Sequence, residues 1–459
     1  MGTVPKRRIW GWMAFDWATQ PFYTLGLTFV FGPYFALVAT QYFMGTGLDD
    51  AAADARAQSV WSAGQTIAGL LIAVTAPFLG AFADNSGRKI PWIAGFSLVY
   101  VAAAWLLWGL TPDGGGLFLT LVIFYIGFFA AESALNFVNA ILPSLGTKQE
   151  IGRISGSGSA FGYWGGVVSL IIMLAFFVED PATGLTRLGQ APLFGLDGAQ
   201  LEGTRAVGPF IAIWFAIFMV PFFLYVRDDP RLGGKSTRIG AVWGELKATL
   251  ISVKDRKSLL NFLIGSMFYR DALNALYAFG GIYAALVLNW TTINIGIFGV
   301  VAAISAAIVT WAAGLADQRF GPKPVIRVAV WALIVVSCFI VGMSREALFG
   351  MPLSPGSTLP DLIFYVCGAV IGGAGGAIYS ASRSMMVRHT HPDRPAEAFG
   401  LFALTGKATA FLAPALITLF TVMTGNTQLG FLPVIFLFLA GLVLLRWVNK
   451  DGDRAEWSA

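Results

Sequence analysis

Charge is scarce in this chain. Only 12% of its 459 residues are Asp, Glu, Lys or Arg, about half of the ~25% usual in soluble domains, so a soluble fold of this length could not cover its surface. Cysteine is nearly absent: Cys338 and Cys367 are the whole complement. Both fall in apolar stretches, where we expect free thiols packed as small apolar groups and no disulfide. The two histidines, His389 and His391, have no third ligand nearby in the sequence. No Ser or Cys nucleophile motif accompanies them, so they read as a solvated turn rather than a metal centre or a membrane enzyme. No ATP-binding sequence occurs, and no cofactor is expected.

What is present is hydrophobic. Apolar residues make up 56% of the chain, and the mean hydropathy is +0.71. Runs of ~20 apolar residues, enough to cross ~30 Å of hydrocarbon as a helix, follow one another throughout. They lack the alternation of a barrel strand, so the fold class is an all-α membrane protein. The spacing predicts twelve spans, near 12–42, 59–83, 90–110, 117–142, 155–178, 207–226, 259–288, 293–316, 324–343, 361–387, 396–423 and 428–448. The first is long for a cleavable signal and has no small-residue cleavage site, so it is read as a membrane helix.

Lysine and arginine are distributed unevenly. With both termini cytoplasmic, 24 of the 30 fall on the inner side, four (Arg56, Arg187, Arg205 and Arg345) outside, and Arg270 and Lys407 within spans. That bias predicts N-in, C-in topology. It also accounts for the pI near 9.2, because cytoplasmic loops lie beside anionic headgroups, so nucleic acid is not expected as a partner. The break at 227–258 carries Arg231, Lys235, Arg238, Lys247, Lys254, Arg256 and Lys257, with Gly233 and Gly234 inside it. It is read as a cytoplasmic linker, with a short surface helix over Val242 to Val253, between a six-helix half at 1–226 and another at 259–459.

A loop motif supports that duplication. Gly80, Asp84, Gly87, Arg88 and Lys89 follow span 2, and a partial copy returns after span 8 at Gly314, Asp317, Gly321 and Lys323. Asp84 is placed to accept from the open N–H groups at the start of another helix, Gly80 to allow close helix contact and Gly87 to make a tight turn.

Polar residues inside spans carry the functional signal, because each is expensive in lipid. Glu132 (span 4), Arg270 and Asp271 (span 7) and Lys407 (span 11) each lie roughly ten residues from a basic end, or ~15 Å deep at 1.5 Å per residue. Exposed singly, each would cost ~2.5–3.5 kcal/mol, so all four are expected to share one protein-lined cavity. Their pairing, Arg270 with Glu132 or Asp271 with Lys407, stays open. Three trios stand at i, i+4, i+7 on single helical faces: Asp16, Gln20 and Tyr23; Glu132, Asn136 and Asn139; Arg270, Asn274 and Tyr277. Span 10 offers Gly372, Gly376, Tyr379 and Arg383 on a comparable face. Spans 1, 4, 7 and 10 would be equivalent members of nested repeats, with a site at their meeting point. The competing reading of each Asn and Tyr is interhelical packing.

The chain resembles a major facilitator superfamily transporter in its twelve spans, two halves, basic central loop and repeated loop motif. Within that superfamily it resembles the vacuole-effluxer-like branch, comprising autophagy-related vacuolar effluxers and their bacterial relatives. That rests on Phe15-Asp16-Trp17-Ala18, Phe31-Gly32-Pro33-Tyr34-Phe35, Ser155 to Gly166, Ser382-Arg383-Ser384, Glu397-Ala398-Phe399-Gly400-Leu401 and Gly406-Lys407-Ala408. The resemblance implies a monomeric secondary transporter of the bacterial inner membrane. It also implies efflux of a small polar solute, first of all an amino acid, by alternating access, with Asp84 engaging the start of span 11 and Asp317 engaging span 5. Protons are the candidate coupling ion, carried by Glu132 or else Asp271. A lipid or lysolipid flippase of the same fold, and a non-transporting membrane sensor, are the alternatives.

Overall fold

The computed structural model describes residues 4–180, 183–228, 239–290, 292–426 and 428–453. Arg231, Gly233, Gly234, Lys235 and Arg238 of the expected linker, and Arg454, lie outside the described residues.

Eleven helices are long and apolar enough to cross a membrane: α1 (Lys6–Gly45), α2 (Asp50–Ser86), α3 (Ile90–Gly109), α4 (Leu117–Ser144), α5 (Glu150–Phe176), α6 (Glu202–Tyr225), α8 (Asn294–Phe320), α9 (Pro322–Gly342), α10 (Leu359–His389), α11 (Pro395–Thr424) and α12 (Leu429–Trp447). A further helix, α7 (Lys257–Leu288), occupies the place of span 7 with Arg270 and Asp271 in its middle. This is the expected all-α membrane bundle. The surface helix expected in the linker is present as Ile239–Ser252.

Helix ends depart from the expected spans where a cap lets a helix outrun the hydrocarbon. Asp49 accepts the Ala52 N–H at 2.8 Å and starts α2 at Asp50. At 37 residues α2 is about 55 Å long. Arg56, expected in a loop, therefore sits on a helical extension.

Two of the helices that carry candidate site residues are broken. In α1, Pro21 supplies no N–H, a wide π-helical turn follows over Phe22–Phe29, and the chain kinks at Val30. In α11 the helix stops at Lys407 and resumes at Leu412. Pro414 explains this break: it tolerates the first turn of a helix but cannot donate to the turn before it. The apolar runs predict one continuous span for each.

Glycines and aromatics set the packing around the centre. A Cβ on Gly158 would approach Trp12 and Asp16, one on Gly165 would approach Trp17, and one on Gly166 would collide with Thr24, so α5 lies directly on the polar face of α1. Phe124 of α4 stacks on Phe22 and Phe31 of α1, with centroids at 5.0 and 5.3 Å. Cys338 and Cys367 are unbonded.

The first and last described stretches of the chain lie at one basic end of the bundle, which carries Arg8, Lys148 and Arg227. There Arg8 meets Ser144 and Arg227, and Lys148 meets Asp451 at 2.6 Å. The two halves close on each other at this basic end, where the first segment of α11 packs on α2, and α5 packs on α8. Beyond its break, α11 packs mainly on α7, α12 and the turn before α12, all within its own half.

Candidate functional site

At mid-membrane depth Glu132 and Lys407 meet across the two halves, Nζ to Oε1 at 3.2 Å. Tyr23 of α1 donates its hydroxyl to the same Oε1 at 3.2 Å, and the ammonium lies 5.0 Å from the centre of the Phe128 ring. Glu132 lies on α4 and Lys407 ends the first segment of α11, so the pair spans both halves and sits at a helix break. Its side chains retain 10% and 22% exposure.

Arg270 and Asp271 do not join this pair, which corrects the expectation of one four-charge cavity and excludes both pairings considered from the sequence. Arg270 is buried between α10 and α11, donating to the Phe402 carbonyl at 3.0 Å with its guanidinium 4.2 Å over the Phe402 ring and 5.7 Å from that of Tyr379. A Cβ on Gly406 would strike this guanidinium, which explains the glycine immediately before Lys407. Asp271, adjacent in sequence and hence ~100° round the helix, faces the other side. Its Oδ2 accepts the Ala413 N–H at 3.0 Å and caps the second segment of α11. It therefore holds the break that leaves Lys407 at a segment end.

The remaining members of the expected set divide into two layers. Near the pair, Tyr277 and Tyr379 are 49% and 41% exposed although both lie in the middle of long helices, as expected of side chains lining a wetted opening. Asn274 is also exposed. The Tyr277 hydroxyl packs against Gly375, and the Tyr163 ring against Gly376. Gln20 lies against Gly166, Asn136 is buried, and Gly372 packs on the backbone at Ala302.

Toward the basic end, Arg383 of α10 crosses into the other half. Its Nε donates to Ser155 Oγ at 2.9 Å, one terminal nitrogen to Asp16 (3.3 Å) and Asn139 (3.2 Å), and the other to the Ser155 carbonyl (2.7 Å) and Ser159 (2.9 Å). Trp12 lies under the guanidinium at 4.9 Å. One arginine thus joins α10 to α1, α4 and α5 through a saturated planar fork, which a lysine could not reproduce. Ser155, Ser159 and Tyr163, at i, i+4 and i+8 on α5, entered the sequence reading only within the Ser155 to Gly166 stretch and not as site residues. That stripe was the available signal, masked by the glycines between.

Below this layer, Asp84 Oδ2 accepts the Glu397 N–H at 2.9 Å in the first turn of α11, and Oδ1 meets Lys89 Nζ at 3.2 Å. Gly80 lies so close to Ala396 that no side chain would fit. Gly87 takes a left-handed turn (φ 68°), the role read for it. Arg88 is exposed. In the second copy, Asp317 is buried against Gly152 in the first turn of α5, and Gly321 again has positive φ (86°). His389 is structural: it contacts Ser258 at 2.8 Å and stacks on Phe262. No cluster of three metal-binding side chains occurs among the described residues.

Comparison with known proteins agrees with this geometry. Residues 4–458 match the family described as "Vacuole effluxer Atg22 like". The chain is 23% identical to an uncharacterized MFS-type transporter, YxiO, of Bacillus subtilis, over 96% of this chain and 94% of that one. It is 24% identical over 66% of its length to autophagy-related protein 22 of Cryptococcus neoformans, and spans 51% of that relative. Among solved structures, the fold is similar to the E. coli fucose:proton symporter FucP (TM-score 0.67, 14% identity, 97% of this chain and 98% of that one). It is also similar to the human organic anion transporter MFSD10 (TM-score 0.62, 14% identity, 96% and 98%). The chain belongs to the Atg22-like vacuole effluxer family, a branch of the major facilitator transporters.

Proposed function

We propose that this multi-pass membrane transporter, working by alternating access, carries a small zwitterionic solute, with an amino acid the first candidate. Its ammonium and carboxylate would be received where Glu132 and Lys407 now hold each other. The observation that carries this reading is that pair: two opposite charges from different halves, at a helix break, with Tyr23 on the same carboxylate oxygen and exposed Tyr277 and Tyr379 nearby. A partly buried ion pair is a poor stabiliser relative to apolar packing, yet removing one partner costs about 3–5 kcal/mol. Such a pair suits a site where a zwitterion replaces both partners at once. Protonation of Glu132 would release the solute ammonium from its carboxylate, and this is the proton-coupling step we assign.

With the basic end in the cytoplasm, the Arg383 fork and the Asp84 clasp form the inner gate, and both must part for release on that side. The amino-acid assignment rests on the fit of a zwitterion to the paired charges, while the family description, a vacuole effluxer, names no solute.

Flux into proteoliposomes under an imposed pH gradient tests the reading. Wild type should move at least one amino acid. Glu132→Gln should lose acceleration by the gradient and, without the carboxylate that receives the ammonium, lower flux by at least about tenfold, as should Lys407→Ala. Gradient-driven flux unchanged in Glu132→Gln would overturn the coupling role. No flux of any amino acid, with flux of another polar solute, would overturn the substrate class alone.

A further inference from the structure

A groove of about 620 Å³ runs along the outside of the bundle at the seam between the halves, walled by α1 and α5 on one side and Trp311 of α8 on the other. Its composition changes with depth. Lys6 and Arg153, in the first turns of α1 and α5, stand at the basic end. Trp10 lies one helical turn deeper, while Trp164 lies eleven residues from Arg153 and Trp311 eight from Arg319, ~16 and ~12 Å at 1.5 Å per residue.

All three indoles are well exposed, at 60%, 41% and 53%, and Phe161 packs edge-on to Trp10 at 6.3 Å. Lys6 and Arg153 are themselves exposed. Neither is within ion-pair distance of a carboxylate among the described residues. The nearby acid, Glu150, is committed to the Thr147 N–H and hydroxyl at 2.8 and 2.9 Å.

We infer that this groove binds an anionic phospholipid of the leaflet at the basic end, with its phosphate between Lys6 and Arg153 and an acyl chain along Trp10, Trp164 and Trp311. Cations at headgroup level with an apolar aromatic wall beneath them match the amphipathic order of a lipid, and basic pockets between membrane helices favour anionic headgroups. A water-soluble solute would have no use for three exposed indoles at acyl depth. Because the groove is walled by both halves, the lipid bridges their seam and holds the basic end closed.

Native mass spectrometry of the delipidated full-length protein, titrated with phosphatidylglycerol or phosphatidylethanolamine, tests this without reference to transport. Phosphatidylglycerol should bind at least about tenfold more tightly. The Lys6→Ala/Arg153→Ala double variant should erase that preference, given about a fivefold contribution per charge. Trp311→Ala should weaken binding several-fold, and Arg446→Ala, at the same end but outside the groove, should leave it unchanged. Excess glycerol phosphate, which has the headgroup charge but no chains, should not displace the lipid. Displacement by it, equal binding of the two lipids by wild type, or full retention of phosphatidylglycerol by the double variant would each overturn the site.

Discussion

The two copies of the loop motif close the same end of the molecule by different means. In the complete copy, Asp84 is hydrogen-bonded to the backbone that opens α11 and ion-paired with Lys89, itself only 4% exposed. In the degraded copy, Asp317 lies against Gly152 and reaches Arg388 only at 4.0 Å, while Lys323 turns away to the carbonyls of Arg446 and Val448. Closure there comes from backbone proximity, Gly156 against Gly314, where a Cβ on either would be within 3 Å of the other's Cα. One seam is thus held by a charge-assisted cap whose loss strands a buried cation. The other is held by close packing in which the acid is secondary.

The largest effect is therefore expected at the first copy. Asp84→Asn leaves Lys89 buried and unpaired, and should cost the closed arrangement about 3 kcal/mol. Spin labels on Asp50→Cys and Thr424→Cys, in a Cys338→Ser/Cys367→Ser background, should then report a shift toward the shorter distance at the far end. An unchanged distance distribution would remove the clasp role.

Asp317→Asn should change the same distribution by less than Asp84→Asn does, because its cation is distant and also serves the Lys450 carbonyl at 2.8 Å. Equal effects of the two substitutions would erase the distinction between the copies.

Smallest is Asp451, which joins the C-terminal tail to Lys148 of the other half. The Lys148 hydrogen bond, then the nearby cations, hold its carboxyl below the usual 3.8. A lowered folded value means the contribution is complete above about 3.8 and is lost as pH falls through the folded value. With both side chains about a third or more exposed, solvent screening limits it to about 0.5 kcal/mol. Asp451→Asn should lower thermal stability slightly at pH 7 and not at all at strongly acidic pH.

Much of the fold was legible because lipid leaves few options. Apolar runs of a set length must be helices, and the clasp partners followed from the family resemblance. The faces of α1, α4 and α10 were legible too: Asp16, Asn139 and Arg383 do converge, as do Tyr23 and Glu132. The pairing of the central charges was not legible. Helical spacing says which residues share a face but not how far each helix is rotated or where it breaks. Arg270 and Asp271 are neighbours in sequence yet point to different structures, and Asp271 found a helix end that exists only because α11 is interrupted.

What the sequence alone determined is the all-helical membrane class and the positions along the chain where charge is buried in apolar helices. These depend on the one-dimensional cost of placing each residue in hydrocarbon. Only the tertiary structure decided that Glu132 takes Lys407, that Arg383 bolts the halves together and that Asp271 is a cap. Each depends on the rotation, tilt and interruption of helices, which arise from glycine contacts and ring packing between segments far apart in the chain.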